Sequence, residues 1–383
     1  MERKTLNILI GIVVVVVIIN LILLLAVLSP TGKVVKGDEV VIGFIGPLTG
    51  DASAYGTPAM EIIRMAVKEL NAAGGIDGKP LRIIYEDGVC DPGKATTAAQ
   101  KLINVDGVKV ILGGFCSGET LGAAPIAEDN KVILFSTGSG SPDVTNAGDY
   151  VFRNWPSDAT SGSKVALEAI KRGDTRIALL SEQTDYSQAV KNVFKSTFKA
   201  NGGTVTVDES ILPDSNDFRS QITKIKSSNP DAIYLTTQTF ATYGLALKQL
   251  GEMGVDLPIY TTEFATAEDI LSDYAGQVEG AILAEAAFNP ESPRAVELFS
   301  KIDAAGIDLG YLPGAYSATS YDAVFILAEA IEQCGEDTTC IKNDLYSIRN
   351  RQGAAGLLTM NSNGDPEFEY VIKTIRNGQV VEL

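Results

Sequence analysis

Residues 40–94 carry the pattern that most limits what this chain can fold into: an apolar strand, a Gly-rich loop, an amphipathic helix and a second strand. We predict the strands over residues 40–45 and 81–85 and the helix over residues 57–73. The helix has apolar side chains on one face at helical spacing, namely Met60, Ile63, Val67 and Leu70. A strand, a helix and a strand in this order form the basic unit of a parallel sheet.

The alternation of strands and helices continues to the end of the chain. A helix over residues 95–104 and strands over residues 110–113 and 132–135 complete the first series. A second series begins after Pro156, with strands over residues 176–180, 204–211, 232–236 and 258–261 and helices over residues 187–200, 218–227 and 241–250. Four last segments are too few for a third domain: helices around residues 293–304 and 317–334, and strands near residues 357–361 and 368–375. The pattern predicts an α/β protein of two doubly wound parallel-sheet lobes, with a candidate ligand site in the cleft between them.

An apolar run precedes these lobes. Residues 8–28 are almost uninterrupted Ile, Val and Leu, which is about the length that a helix needs to cross a membrane. Arg3 and Lys4 come before the run, so the N-terminus is expected to stay inside. We predict an uncleaved signal anchor and linker over residues 1–37, and a cleaved signal peptide is the alternative. Both interpretations put the rest of the chain outside the cytoplasm.

Charge and composition exclude several classes of function. The net charge is −17, whereas a nucleic-acid partner calls for a basic surface. The chain has no histidine, which excludes a Ser-His-Asp triad, a Cys-His pair and an HExxH zinc site. We therefore expect no enzyme, no bound metal and no cofactor, although an enzyme that uses only carboxylates or lysines remains possible.

The four cysteines form two near pairs, Cys90 with Cys116 and Cys334 with Cys340. An even number of cysteines outside the cytoplasm is typical of disulfide bonds. A zinc site made of all four is the alternative, although no CxxC spacing supports it. The pattern favours two disulfides.

Candidate ligand-binding residues follow the predicted strands. Two loops rich in Ser and Gly come after strands of the first series, and they contain Ser117 and the Gly138-Ser139-Gly140 segment. Hydroxyl and backbone N–H groups at the ends of parallel strands can bind a small carboxylate, although Ser and Gly are also ordinary capping and turn residues. Glu263 follows a strand of the second series and could meet a cationic group across the cleft. A solvated glutamate near a helix start is the alternative.

Several short motifs resemble those of a known family. They are Gly46-Pro47-Leu48-Thr49-Gly50, Tyr55-Gly56, Asn71-Ala72-Ala73-Gly74-Gly75-Ile76, Asp91-Pro92 and Cys116-Ser117. From about residue 40 to near the C-terminus the chain resembles the Leu/Ile/Val-type substrate-binding proteins of ABC importers. The resemblance implies a type I periplasmic-binding fold, in which two lobes joined by three crossovers close on a ligand. We assign residues 38–157 and 287–369 to the first lobe and residues 158–286 and 370–383 to the second.

The resemblance also implies roles for individual residues. It puts the first disulfide on Cys90 and Cys116. The α-carboxylate contacts of an amino acid fall on Ser117 and on the loop of Gly138, Ser139 and Gly140, and the acceptor for the α-ammonium group falls on Glu263. Three aromatic residues are expected to line the cleft: Tyr55, Tyr186 and Tyr316. The segment Arg153-Asn154-Trp155-Pro156 is the predicted first crossover.

Two positions depart from the family pattern. Gly140 stands where the family usually has a Thr, so only a backbone donor remains there. Gln238 stands where the branched-chain binders have an aromatic wall. A buried amide left without a partner by an aliphatic ligand costs about 1–3 kcal/mol. We therefore expect an amino acid of the branched-chain type or a more polar analogue.

The predicted function is that of a membrane-tethered receptor that captures an amino acid and delivers it to an ABC permease. We expect a monomer apart from the permease subunits, with no nucleic-acid partner. A ligand-sensing ectodomain that acts through a separate signalling partner is the first alternative. A secreted enzyme is the second.

Overall fold

The structure is a computed structural model, and it describes residues 39–383. The predicted membrane span over residues 8–28 lies outside the described residues. Within residues 39–383, no helix combines the length and the apolar character that crossing a membrane requires.

The first sheet is built from the first third of the described chain. Its five strands are β1 (Val40–Gly46), β2 (Leu81–Asp87), β3 (Val110–Gly113), β4 (Ile133–Ser136) and β5 (Val151–Arg153). They lie in the order β2-β1-β3-β4-β5, and every neighbouring pair is parallel. β3, β4 and β5 are buried along their whole length, as expected for parallel strands covered on both faces. Three helices connect these strands: α1 (Ser53–Ala72), α2 (Pro92–Asn104) and α3 (Ser117–Asn130).

The second sheet repeats this plan. Its parallel strands are β6 (Arg176–Glu182), β7 (Thr204–Ile211), β8 (Ala232–Thr236), β9 (Ile259–Thr261) and β10 (Ile282–Ala286). The helices are α4 (Ala159–Arg172), α5 (Asp185–Ala200), α6 (Arg219–Ser227), α7 (Phe240–Glu252), α8 (Glu268–Asp273) and α9 (Ala275–Val278). Short 3₁₀ turns lie at Pro142–Asn146 and Glu263–Thr266. Glu263 is therefore the first residue of a turn directly after β9.

The C-terminal part adds helices to the first sheet and strands to the second. The helices α10 (Pro293–Ala304), α11 (Gly314–Cys334) and α12 (Thr338–Ser347) return to the first sheet, where apolar residues of α11 share a core with Phe44 and Phe135. A short antiparallel pair, β11 (Arg351–Gln352) and β12 (Leu357–Leu358), comes next. The last strands, β13 (Tyr370–Arg376) and β14 (Gln379–Glu382), join the second sheet antiparallel beside β10.

The chain passes from one sheet to the other three times, after β5, after β10 and before β13. The five-stranded sheet and the helices packed on it form the first lobe, and the seven-stranded sheet and its helices form the second lobe. In each sheet the strand order reverses beside the first strand, between β1 and β3 and between β6 and β8. Ligands of open α/β sheets bind at such switch points, outside the carboxyl ends of the strands.

The predicted elements are largely present, with corrections at several boundaries. α1 begins at Ser53 rather than at residue 57, because Pro58 is tolerated inside the helix instead of marking its start. Tyr55 therefore lies in the first turn of a helix. The strand predicted near residues 357–361 is limited to Leu357–Leu358. The prediction omitted the short strands β5, β10, β11 and β14 and the helices α3, α4, α8, α9 and α12.

Both predicted disulfides are present. Cys90 is bonded to Cys116 with a Cα–Cα distance of 5.3 Å, and Cys334 to Cys340 with a Cα–Cα distance of 5.6 Å. All four sulfur atoms are used in these bonds, so the alternative of a four-cysteine zinc site is wrong. The first disulfide joins the loop after β2 to the residue that precedes α3, where Ser117 begins the helix.

Candidate functional site

A cavity lies between the carboxyl ends of the two sheets. It provides about 50 Å³ for the centre of a water-sized sphere, several times the roughly 10–15 Å³ that one water molecule needs. Seven of the nine predicted ligand-contact residues line it: Tyr55, Ser117, Gly138, Tyr186, Gln238, Glu263 and Tyr316. The structure therefore brings together residues that lie up to 261 positions apart, since Tyr316 and Tyr55 share this lining.

We call the first-lobe side of the cavity its anion-binding end, because the donors there suit a carboxylate. Ser117 is the first residue of α3 and is buried, so its backbone lies at the positive end of a helix dipole. Its Oγ accepts a hydrogen bond of 3.1 Å from the N–H of Ser141. The hydroxyl proton of Ser117 then remains available to donate, and a carboxylate is the kind of group that such a donor binds.

A buried carboxylate fixes the loop that carries Ser117. Glu119 accepts the N–H groups of Cys90 and Cys116, both at 3.0 Å. Burial raises the pKa of Glu119 to about 7. The hydrogen bonds from Cys90 and Cys116 lower this pKa, but their effect is smaller than that of burial. The contacts tie both ends of the first disulfide to the start of α3.

Two of the predicted contacts, Ser139 and Gly140, do not line the cavity. The N–H of Ser139 donates to Ser136 Oγ at 3.1 Å, and its hydroxyl donates to Gly114 O at 3.1 Å. Ser139 therefore stabilises its own loop. Gly140 leaves room for Asp158, because a Cβ atom built on Gly140 would lie 2.1 Å from Asp158 Oδ2.

Glu263 forms the opposite, acidic end of the cavity. Tyr316 donates to its Oε1 at 3.0 Å, and the hydroxyl of Tyr186 lies 3.4 Å from each carboxylate oxygen. Burial, followed by the charge of Asp158, raises the pKa of Glu263 to about 8. Burial also raises the pKa of Tyr186 and Tyr316 well above the ordinary value, so both hydroxyls stay protonated and act as donors.

Asp158 is an acidic neighbour that the sequence prediction missed. It is the N-cap residue of α4, and only 2% of its surface is exposed. Tyr370 donates to its Oδ1 at 2.7 Å, but Oδ2 has no hydrogen bond of normal geometry within residues 39–383. Burial raises the pKa of Asp158 to about 6, although the hydrogen bond from Tyr370 lowers it. No strand end or motif marks this residue in the sequence.

An apolar wall lines the cavity between its two polar ends. The sequence prediction missed its members, which are Phe115, Phe240, Phe264, Leu312 and Pro313. The rings are in mutual contact: Phe240 and Phe264 have centroids 5.0 Å apart, and Tyr55 and Phe115 have centroids 5.6 Å apart. Aromatic residues in helices and loops look like core residues in a sequence, so no pattern distinguished them.

Gln238 is the polar residue at this wall. Among the described residues, its hydrogen bonds run through its backbone: its carbonyl accepts from Tyr55 Oη at 3.0 Å, and its N–H donates to Glu182 Oε2 at 2.7 Å. The first of these bonds joins the two lobes. The ring of Phe240 on the second lobe also stacks on Tyr311 of the first, with centroids 5.4 Å apart. The structure is therefore a conformation in which the lobes touch across the cavity.

Trp155 lies in the predicted first crossover, directly after β5. Its ring stacks on Tyr316 with centroids 3.7 Å apart and an interplanar angle of 14°. Behind this stacked pair lies a second cavity of about 260 Å³ on the same measure, lined by Asp158, Glu263, Glu285 and Lys373 among others. Glu263 and Tyr316 border both cavities.

The groups at this site can hold a small molecule through hydrogen bonds and apolar contacts. The site combines hydroxyl and N–H donors, an apolar middle and a carboxylate. Within residues 39–383, no group of three or more His, Cys, Asp or Glu side chains is arranged to hold a metal ion.

Comparisons with known proteins agree with this geometry. Residues 39–364 match the model of the periplasmic binding protein family. Over 344 residues the chain is 28% identical to the leucine-, isoleucine-, valine-, threonine-, and alanine-binding protein of Pseudomonas aeruginosa, which covers 88% of this chain and 89% of that protein.

Solved structures show the same fold. The leucine-binding protein LivK of Thermotoga maritima is 28% identical, covers 90% of this chain and 97% of its own, and superimposes with a TM-score of 0.77. A solute-binding protein of an ABC transporter from R. palustris, in complex with benzoate, superimposes with a TM-score of 0.78 and covers 90% of this chain and 96% of its own. At 18% identity, this second similarity shows the fold alone. The family match, the two-lobed fold and the cleft site together confirm the resemblance found in the sequence: the chain belongs to the periplasmic binding protein family.

Proposed function

We propose that this chain is an extracytoplasmic receptor that captures an amino acid between its two lobes and delivers it to an ABC permease. The single observation that carries the proposal is the presence of Ser117 and Glu263 on the lining of one cavity. A zwitterionic amino acid needs hydroxyl and N–H donors at its carboxylate and an acceptor at its ammonium group. The anion-binding end offers the donors, and Glu263 at the other end offers the acceptor.

The apolar wall supports a ligand with a largely apolar side chain. Phe240, Phe264 and Leu312 line the cavity between its polar ends, and burial of an aliphatic side chain against them is favourable. Gln238 adds one amide to this wall. We therefore propose an amino acid of the branched-chain type or a more polar analogue, for which the names of the relatives give further support.

The proposed mechanism is closure of the lobes without covalent chemistry. The anion-binding end belongs to the first lobe and Glu263 belongs to the second, so a ligand makes all of its contacts only in the closed state. A ligand that binds one conformation better shifts the population toward it. The contact from Tyr55 to Gln238 and the stacking of Phe240 on Tyr311 stabilise that state further.

The proposal includes a location and partners. The receptor is held at the cell membrane by the segment predicted over residues 8–28, and its partners are the permease subunits of an ABC importer. It acts as a monomer apart from that transporter. A ligand-sensing ectodomain with a separate signalling partner uses the same binding site and remains the alternative.

The first prediction concerns Glu263→Gln. The change removes the charge that faces the ammonium group and keeps the shape of the side chain. We expect affinity for the tightest-binding amino acid to fall about 10- to 100-fold, because a hydrogen bond to a charged group contributes about 1.5–3 kcal/mol. Calorimetric titration of the full-length chain with leucine, valine, threonine and glutamine measures this loss.

Glu285→Gln is the matched control. Glu285 borders the second cavity and is paired with Lys373 at 2.6 Å, so its neutralisation removes one negative charge without touching the proposed ligand contacts. Equal affinities of the wild type and of Glu263→Gln contradict the assignment of Glu263. Detectable chemical turnover of a bound amino acid contradicts the receptor. Leucine binding far tighter than glutamine or threonine contradicts a polar ligand.

A further inference from the structure

Glu119 is a buried carboxylate beside the ligand cavity that the proposed binding mechanism does not use. None of its surface is exposed, and it is not part of the cavity lining. Its two oxygen atoms accept N–H groups from two different segments. Oε1 accepts from Cys90 in the loop after β2, and Oε2 accepts from Cys116 at the start of α3, both at 3.0 Å. One carboxylate therefore joins these segments through their backbones.

Two glycines make room for this carboxylate. A Cβ atom on Gly88 would lie 2.3 Å from Oε1 of Glu119, and a Cβ atom on Gly114 would lie 2.3 Å from Glu119 Cβ. Both distances are well below the roughly 3.5–4.0 Å of a normal contact between carbon atoms. A larger residue at either position would therefore displace Glu119, and the backbone on both sides fixes where its carboxylate lies.

The loop after β2 has a backbone conformation that its residues rarely adopt. Val89 and Cys90 have φ angles of 51° and 53°, in the left-handed region that is unusual for residues other than glycine and most unusual for a β-branched one. Such conformations persist only where the surrounding structure fixes them. Asp87 accepts the N–H of Val89 at 3.0 Å, and Glu119 accepts the next N–H along the chain. Glu119 is therefore one of the groups that hold this loop in place.

The segments that Glu119 joins reach the ligand cavity. Cys116 and the next residue, Ser117, both line it. On the other side, Sγ of Cys90 lies 3.9 Å from the hydroxyl of Tyr55, which also lines the cavity. The disulfide joins the same two segments through their side chains, whereas Glu119 supplies the acceptor for their N–H groups. Loss of that acceptor should change the position of the backbone directly before Ser117.

We propose that Glu119 is a positioning residue for the ligand's carboxylate: it fixes the start of α3 so that the hydroxyl of Ser117 meets that carboxylate. This inference rests on the proposed function and adds a residue that acts on the ligand only through Ser117. Glutamine cannot take the place of Glu119, because its amide has one acceptor oxygen and its NH₂ group would face the second N–H. One buried N–H group is then left without an acceptor, which is unfavourable.

A double-mutant cycle between Glu119 and Ser117 tests this role in the full-length chain. Calorimetric titration with leucine, valine, threonine and glutamine measures the affinity of the wild type, Glu119→Gln, Ser117→Ala and the double variant. We expect Glu119→Gln to lose about 5- to 10-fold for every amino acid that binds, which is the contribution of one hydrogen bond to the carboxylate that they share. In the Ser117→Ala background the same change should cost about twofold or less, because the hydroxyl that Glu119 positions is absent.

Asp322→Asn is the matched control. Asp322 is also buried, and its carboxylate accepts two backbone N–H groups, from Ala354 at 2.8 Å and from Ala355 at 2.9 Å. A glycine makes room for it too, since a Cβ atom on Gly353 would lie 2.2 Å from its Oδ2. None of these residues lines the ligand cavity, so the affinity of Asp322→Asn should stay within about twofold of the wild type. Thermal unfolding shows whether each variant is folded.

The outcomes distinguish this inference from the proposed function. If none of the four amino acids binds the wild type, the proposed function is wrong and this inference falls with it. If an amino acid binds the wild type and Glu119→Gln equally well, the receptor stands and the positioning role is wrong. Equal losses from Glu119→Gln in the wild type and in Ser117→Ala also overturn the role, because Glu119 then acts independently of Ser117. A comparable loss in Asp322→Asn overturns it as well, because affinity then follows the general stability of the fold.

Discussion

At the scale of single residues, the site depends on how a few polar groups are paired before any ligand arrives. Ser117 accepts from Ser141 and so keeps its own proton for the ligand. Glu263 accepts from Tyr316 and lies beside Tyr186, and Oδ2 of Asp158 has no hydrogen bond of normal geometry among residues 39–383. The donors and acceptors that remain unpaired are those that the proposed zwitterionic ligand needs.

The pH dependence of binding is set by the acidic end. Burial raises the pKa of Glu263 to about 8 and that of Asp158 to about 6, and an ammonium group binds the ionised forms. We expect affinity for the tightest-binding amino acid to rise as pH increases from about 6 to about 8, with release of protons. Calorimetry of the wild type and of Glu263→Gln measures this, and a flat profile in the wild type contradicts it.

The stability of the unliganded protein should change in the opposite direction. A carboxyl whose pKa is raised by folding binds more protons in the folded state, so its stabilising contribution is complete below the ordinary pKa of 4.5 and is lost as pH rises through about 8. Relative to Glu263→Gln, the wild type should lose on the order of 4 kcal/mol between about pH 5 and about pH 9. Urea unfolding at the two pH values measures this loss.

At the scale of elements, one buried arginine holds the loop of the anion-binding end to the crossover. Arg153 ends β5, and its side chain is fully buried. It donates to the carbonyls of Ser139 and Ser141, to Thr145 and to Asp365. These bonds join the loop that carries Gly138 to the segment that leads into β13.

Arg153→Met should therefore destabilise the fold by about 3–5 kcal/mol, because it leaves Asp365 as a buried and unpaired charge. Urea unfolding measures the change, and Asp365→Asn combined with Arg153→Met should recover part of it. Arg351→Met is the matched control, since Arg351 pairs at 2.7 Å with Glu329, whose side chain is 59% exposed. Loss of such a surface pair costs about 1 kcal/mol or less. Equal losses in the two variants contradict the role given to Arg153.

The sequence predicted the elements whose burial follows a regular pattern, and it missed those set by tertiary contacts. Strands such as β8 are continuous apolar runs and were located closely. α3 contains Gly118, Gly122 and Pro125, which argue against a helix. Gly122 is nevertheless required in this helix, because α2 approaches so closely that a Cβ on Gly122 would lie 2.2 Å from Pro92 O.

The same distinction holds for the site. Ser117 and Glu263 come after strands, where a parallel sheet places its ligand contacts, and the resemblance named their roles. Asp158 comes after a crossover, and its carboxylate fits there because Gly140 has no side chain. Phe240 lies in a helix, where an aromatic side chain is indistinguishable from a core residue.

At the scale of the whole molecule, one residue can report closure of the lobes. Trp155 is the chain's one tryptophan. It is 6% exposed in this closed conformation and stacks on Tyr316 beside the cavity. We expect opening of the lobes to move the crossover that carries Trp155 and to expose its ring to water.

We therefore expect a saturating amino acid to shift the fluorescence of Trp155 to shorter wavelength. The full-length chain provides the signal without labelling, and Glu263→Gln should require about 10- to 100-fold more ligand for the same shift. Emission that stays unchanged at a ligand concentration shown by calorimetry to saturate the site contradicts closure around this crossover.

The most direct test of the central claim is a calorimetric titration of the wild-type full-length chain with leucine, valine, threonine, glutamine and benzoate. The cavity presents a carboxylate opposite its anion-binding end, so we expect at least one of the amino acids to bind with a Kd of about 1 μM or tighter. Benzoate has no cationic group and should not bind measurably. Benzoate binding tighter than all four amino acids, or no binding by any of the four, contradicts the account.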